Sequence, residues 1–399
     1  MEKNNKTLNV PHLRFPEFSG EWGKSTLQSV ATVSKGAGIS KDQLSEEGQP
    51  CILYGELYTK YNSEIIDTII SKTDIDSEKL VRSQANDVII PCSGESAVDI
   101  ATARCVKQSN VLLGGDLNII RLKGEHDGSF FAYQLNGRRK YDIAKVAQGV
   151  SVVHLYGEHL KRVKVNYPSA TEQKKISSLL ALIDQRIETQ KKIIEDLKKL
   201  KSAISNKLLK ACFCNSDCAI QLSSILNERK EYNENDGTYP HGSLSKEGVT
   251  LKSERYDRDF LVKDEDKKYK VSHYNDICYN PANLKFGVIS RNKLGSIIFS
   301  PIYVTYEIND KYNSEYIELL VTNSEFIGRV RKFEQGTVYE RMAVSSEDFL
   351  SYKISLPSKK TQDKIADCIR AIDTKLQNEL SVLEDTEKQK NYLLSQMFI

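Results

Sequence analysis

The chain contains one long internal repeat. Residues 168–208 and 357–397 align without a gap at an offset of 189. Pro168 stands over Pro357, Gln173 over Gln362, Ile176 over Ile365, and the pair Ile183-Asp184 over Ile372-Asp373. Upstream, Gln148-Gly149 and Gln335-Gly336 precede the two prolines at similar distances. Repeats of 20–50 residues build solenoids; a period this long means that a whole domain has been duplicated. The chain is therefore two units of about 190 residues, each a mixed region followed by a long helix.

Both helices read clearly. Thr171 and Thr361 stand shortly after a proline, where an N-cap is wanted. Apolar residues then step by four and three. The first helix has Ile176, Leu180, Ile183, Ile187, Ile194, Leu197, Ile204 and Leu208; the second has Ile365, Ile369, Ile372, Leu376 and Leu383. Such a sustained pattern is a coiled-coil seam. Polar residues interrupt it at matching places, Gln190 with Glu379 and Lys201 with Lys390. Buried polar positions weaken a seam but fix its register. Residues 171–210 hold ten Lys/Arg against five Asp/Glu, and residues 361–391 hold five against seven. Opposite signs suit the two helices packing on each other. The expected fold is α+β: two tandem globular domains, each followed by a long helix, with the helices paired as an antiparallel coiled coil. A helix of ~36 residues is roughly 54 Å long. For two domains that read DNA, a rod of that length would suit half-sites a helical turn or so apart, one turn being about 34 Å.

The globular parts read as strands and loops. Strand-like runs lie at 87–90, 117–122, 287–290 and 296–299, with short helices at 129–136 and 314–322. No phosphate-binding glycine loop, H-E-x-x-H, G-x-S-x-G or methyltransferase tetrapeptide is present; Tyr279-Asn280-Pro281-Ala282 is a poor approach to the last. The balance shifts from enzyme to binding protein. The net charge is only +3, so a nucleic-acid surface must be a local patch. There are 20 Tyr, useful at base edges, although tyrosines also populate half-buried strands. No apolar run is long enough to span a membrane, and no secretion signal opens the sequence. The eight Cys read as reduced thiols of a cytoplasmic protein. Cys212, Cys214 and Cys218 cluster without the spacing or fourth ligand of a metal site, so neither metal nor cofactor is expected.

Candidate DNA contacts fall in polar, aromatic loops. In the first half they are Tyr54, Tyr58, Lys60, Ser93, Ser96, Gln148, Ser151 and His154. In the second they are Tyr239, Ser243, Asn280, Asn283, Lys285, Arg291, Gln335, Tyr339 and Arg341. Arg, Asn, Gln and Lys make the paired contacts to guanine and adenine edges. Lys60, Lys285, Arg291 and Arg341 are the candidates for phosphate. Each residue taken singly also fits an ordinary solvated loop; the grouping is what raises it.

Together these features resemble the specificity subunit of type I restriction–modification systems, over essentially the whole chain. The lead-in Val10-Pro11-His12-Leu13-Arg14-Phe15-Pro16-Glu17-Phe18 with Glu21-Trp22 is similar to that family's opening. Ser300-Pro301-Ile302-Tyr303-Val304 resembles its Ser-Pro-x-Tyr strand, and the Pro-x-x-x-x-Gln-x-x-Ile cores its conserved helical regions. Where many relatives carry Ser-Gly-x-Ile-Gly, this chain has Ser93-Gly94-Glu95-Ser96-Ala97. The resemblance implies target recognition domains at 1–168 (with the lead-in over 1–20) and 212–357, and conserved helical regions at 169–211 and 358–399. It also implies a noncatalytic reader of bipartite double-stranded DNA. Its partners would be two methyltransferase (modification) subunits, joined by restriction subunits. The competing readings are a coiled-coil scaffold without direct DNA reading, and a lone nuclease or methyltransferase, against which the missing motifs argue.

Overall fold

The computed structural model describes residues 9–75, 79–149, 151–213, 219–234, 237–252, 268–334 and 343–399. Gln335, Tyr339, Arg341, Cys214 and Cys218 lie outside the described residues. The chain divides into two compact units, residues 1–192 with 380–399, and residues 193–379. Each unit therefore takes the beginning of one long helix and the end of the other. Among the described residues, no helix is long and apolar enough to cross a membrane.

The first long helix runs Ala170–Leu209 and the second Lys359–Gln396. They pack together antiparallel. In the first unit Lys191 meets Glu387 at 3.4 Å and Asp184 meets Lys390 at 2.7 Å, so the partner number falls as the first rises. In the second unit Lys201 meets Asp373 at 2.5 Å. The seam is buried at Ile176, Leu180, Ile183, Ile187, Ile194, Ile365 and Ile369. Leu197, Ile372, Leu376 and Leu383 are half-buried. Two details differ from the sequence reading. Leu208 is exposed and Leu209 buried, because the packing face has drifted by one residue there. Thr171 is not a cap: the helix begins one residue earlier, where the Oγ of Ser169 accepts the Glu172 N–H at 3.4 Å. Thr361 likewise sits inside the first turn of the helix that begins at Lys359.

The two units share a plan. In the first, strand Gly23–Thr26 pairs antiparallel with Lys164–Tyr167. In the second, Ile220–Gln221 pairs with Lys353–Ile354. Both pairs join the start of a unit to the residues just before the repeated proline, which closes the unit on itself. The first unit has a sheet in the order Ala31–Lys35, Leu117–Leu122, Asp87–Pro91, Arg104–Val106, Ile65–Ile66. The second has Leu226–Glu228, Val304–Ile308, Ile277–Tyr279, Ile289–Arg291, the same order over four strands. Asp87–Pro91 is buried at every position, so it reads as a continuous apolar run and not as an alternation. Ser300–Tyr303 forms a turn, with the Tyr303 N–H on the Ser300 carbonyl, and the strand begins at Val304.

The repeat also sets matching contacts. Gln173 donates through Nε2 to the Pro168 carbonyl at 2.9 Å, and its Oε1 accepts the Asp127 N–H at 3.0 Å. Gln362 donates to the Pro357 carbonyl at 2.9 Å and accepts the Asn313 N–H at 3.0 Å. Asp127 and Asn313 are the caps of helices Gly128–Asn136 and Ser314–Val321. One amide thus ties a long helix to the cap of a domain helix. A second match was not read from sequence: Asn86-Asp87 and Asn275-Asp276 again lie 189 apart. Both asparagines have positive φ, 80° and 73°. Asp87 receives Arg121 through two bonds, 2.9 and 2.7 Å, and Asp276 receives Arg229 at 2.7 and 3.0 Å. The lead-in is held as well: Arg14 forks onto Glu172 at 2.8 Å, and Trp22 Nε1 donates to the same carboxylate at 3.2 Å.

Candidate nucleic-acid interface

Three loops of the first unit meet around a cavity of about 710 Å³. Tyr54, Tyr58, Ser93 and Ser151, all expected to contact DNA, line it together with Glu95, Asp99 and Arg104. Their placement follows from local backbone structure. Tyr58 lies on the short helix Glu56–Thr59, and its hydroxyl reaches the Ser93 carbonyl at 3.4 Å. Strand Ser93–Gly94 pairs with Val153–His154, which brings His154 Nδ1 to 3.3 Å from Ser93 Oγ. Gln148 closes the same loop through two backbone bonds with His154, at 2.9 and 2.7 Å. Ser96 caps helix Ala97–Ile100 by accepting the Asp99 N–H at 3.1 Å. The approach is tight at Gly94, where a Cβ would stand 3.1 Å from Tyr58 Oη and 3.2 Å from Ile100 Cβ. Burial, with the Asp99 charge adding, pushes the Tyr58 phenol well above its ordinary range, so the group remains a neutral donor.

Lys60 lies beside this cavity, not in it. Its Nζ sits 2.8 Å from Glu56 Oε1 and 2.6 Å from Ser71 Oγ. Below the loop, Lys390 Nζ lies 2.7 Å from both Glu64 and Asp184. Tyr133 donates to Asp184 at 2.7 Å. This cluster anchors the segment that leads away from Tyr58 to the helical seam.

In the second unit, Asn280 is buried and caps the turn Pro281–Phe286. Asn283, Lys285 and Phe286 are exposed on that turn, with Lys285 Nζ 5.1 Å from the Phe286 ring. Gly287, at φ 78°, ends it. Tyr239 packs edge-on to His273, and Ser243 lies on the strand Gly242–Ser245. Arg291 is buried; it donates to Glu318 at 2.9 Å and Asn275 at 2.5 Å. In this arrangement its guanidinium is already engaged by the protein's own acceptors. Sequence could not separate Arg291 from Lys285, because an arginine on a strand carries no mark of its partner carboxylates.

Comparison with known proteins decides what such a surface belongs to. A family model, the type I restriction modification DNA specificity domain, matches residues 19–199. That match makes residues 19–199 a type I restriction–modification DNA specificity domain. Members are noncatalytic, so the DNA specificity component of such a system is what this chain supplies, working with DNA and with other subunits of the system. The structure is similar along its length to a type I restriction–modification S subunit from M. genitalium, with a TM-score of 0.59 at 17% identity, covering 98% of this chain and 99% of that one. It is also similar to a chain from a study of complex assembly and conformational transition in the type I R-M system, with a TM-score of 0.57 at 11% identity, covering 94% and 97%. At these identities the likeness is one of fold. No curated protein matches the chain in sequence.

Proposed function

We propose that each unit of this specificity protein reads one part of a bipartite DNA target, and that the paired helices carry two methyltransferase subunits, with restriction subunits joining them in the cytoplasm. The family match covers the first unit. What supports a second reader is the repeated set of clamps. The same four-strand order, the Asn-Asp turn with its arginine fork and the Gln on a cap N–H recur in the second unit. The residues proposed to face DNA in the first unit are Tyr54, Tyr58, Ser93, Ser96, Gln148, Ser151 and His154. In the second they are Tyr239, Ser243, Asn283 and Lys285, with Gln335, Tyr339 and Arg341. Mapping methylated bases in the genome of a host with and without this chain tests the reading. A motif of two short specific parts around a nonspecific spacer should appear only with the chain. An unchanged methylation pattern, as a scaffold with no DNA role would give, sinks it.

A further inference from the structure

The cavity of the first unit is built for something other than a phosphate. Its rim carries two carboxylates, Glu95 and Asp99. Its one arginine, Arg104, is buried and turned onto backbone: it donates to the Tyr61 carbonyl at 3.3 and 3.1 Å and to the Ala103 carbonyl at 3.2 Å. A phosphate brought here would meet repulsion from two acids and find the guanidinium already engaged. Three apolar or aromatic surfaces nevertheless stand open to it, Tyr54 at 38%, Tyr58 at 36% and Val152 at 52% exposure. Flat faces flanking hydrogen-bond acceptors suit a planar ring that carries donors. Among groups displayed in the major groove, those are the amino edges of cytosine, through N4, and adenine, through N6; the guanine amino group lies in the minor groove.

We infer that the Tyr54–Tyr58–Val152 cavity, with Glu95 as principal acceptor, recognises one amino-bearing base, adenine or cytosine, in the first half of the target. This rests on the DNA-reading function proposed above and assigns a chemistry to one of its positions. Glu95 is the cleaner of the two acids to alter, because Asp99 also receives the Ser96 hydroxyl at 2.5 Å and holds its helix start together. The base is presented paired, with its amino edge in the major groove.

The test uses the assembled complex with its methyltransferase partners and duplexes carrying the mapped target. At each position of the first half, purine replaces adenine or 2-pyrimidinone replaces cytosine, removing only the amino group. One such replacement should weaken binding by roughly tenfold or more, the scale of a good base-edge contact. In Glu95→Ala that replacement should matter much less, because the acceptor for the amino group is already gone, while preference in the second half of the target stays unchanged. The unchanged second half shows that the complex has assembled, and hydrogen exchange in the first unit that matches wild type shows that the variant is folded. Tyr58→Ala should show the same loss of discrimination. If no amino deletion matters in the wild-type complex, or if Glu95→Ala and Tyr58→Ala respond to it as wild type does, the inference is overturned while specific binding stands. If the wild-type complex shows no sequence preference at all, the DNA-reading function falls, and this assignment with it.

Discussion

Lys390 Nζ lies 2.7 Å from Asp184 Oδ1, and the residues that match them in the repeat, Lys201 and Asp373, meet at 2.5 Å. The two polar seam positions are thus the same salt bridge made twice. Their surroundings differ. Lys390 and Asp184 are 15% and 7% exposed, whereas Lys201 and Asp373 are 34% and 44% exposed. Removing one partner of a buried pair leaves a charge stranded, at a cost of about 3–5 kcal/mol, while an exposed pair contributes ~0–1 kcal/mol. Lys390→Met should therefore destabilise the first unit strongly and Lys201→Met should barely move the second. Hydrogen exchange followed unit by unit measures both; equal effects would refute the assignment.

The same cluster predicts a pH dependence. Burial alone would raise the Glu64 carboxyl, but Lys390 and Arg104 outweigh it and hold that group below its usual range. A depressed carboxyl stabilises above its unfolded value, about 4.3, and its contribution is lost as pH falls through the folded value. Burial opposes the charge on Lys390, yet Glu64 and Asp184 keep its ammonium above the ordinary lysine range. Its contribution is complete below about pH 10.4 and lost as pH rises through the folded value. Burial, and the Glu64 charge, raise Asp184, so proton uptake there offsets part of the acid loss. Wild-type stability of the first unit should fall toward both extremes, and the alkaline limb should flatten in Lys390→Met. A pH series of urea denaturation checks it.

Gln173 serves a buried cap N–H and Gln362 a half-buried one, and each also serves a proline carbonyl. Replacement by alanine orphans both, costing about 1–3 kcal/mol. Gln173→Ala should lower the stability of the first unit and Gln362→Ala that of the second, by similar amounts. Stability measured separately for the two units is the check, and an effect of Gln173→Ala confined to the second unit would contradict the pairing.

Lys285 and Arg291 should behave oppositely in DNA binding. Loss of one phosphate contact flattens the dependence of log affinity on log salt by about 1. Lys285→Ala should do this without altering base preference. Arg291→Ala should leave the slope of the folded complex unchanged and weaken the second unit, since it breaks bonds to Glu318 and Asn275. Filter binding across a salt series, beside thermal unfolding, separates them.

Much of this architecture is written in the chain as spacing. The offset of 189 and the four-three rhythm of Ile176, Leu180, Ile183 and Ile187 are properties of neighbours in sequence, so the helices could be read directly. Partnership could not. Lys201 and Lys390 were visible as interruptions of the seam, but that each answers the other repeat's aspartate depends on the chain folding back. The Asn86-Asp87 and Asn275-Asp276 turns sit at the same offset and escaped notice, because two residues alone carry little signal. In the first half, the loops around Tyr54, Ser93 and Ser151 were separable as stretches, but their convergence is set by the pairing of Ser93–Gly94 with Val153–His154. Arg291 shows the limit from the other side: residue type suggests phosphate, and only the fold reveals its ion pair with Glu318.

The first unit needs residues 380–399, in which Met397 and Phe398 are buried and Phe398 stacks within 5.1 Å of Phe130. Those residues are synthesised long after residue 192. At ~5–20 residues per second, roughly 10–40 s separate them on the ribosome. The part of the protein made first is thus the part completed last. Until its final helix arrives, the apolar surface around Phe130 stands open in the nascent chain, and a factor that shelters such surfaces has its longest opportunity there.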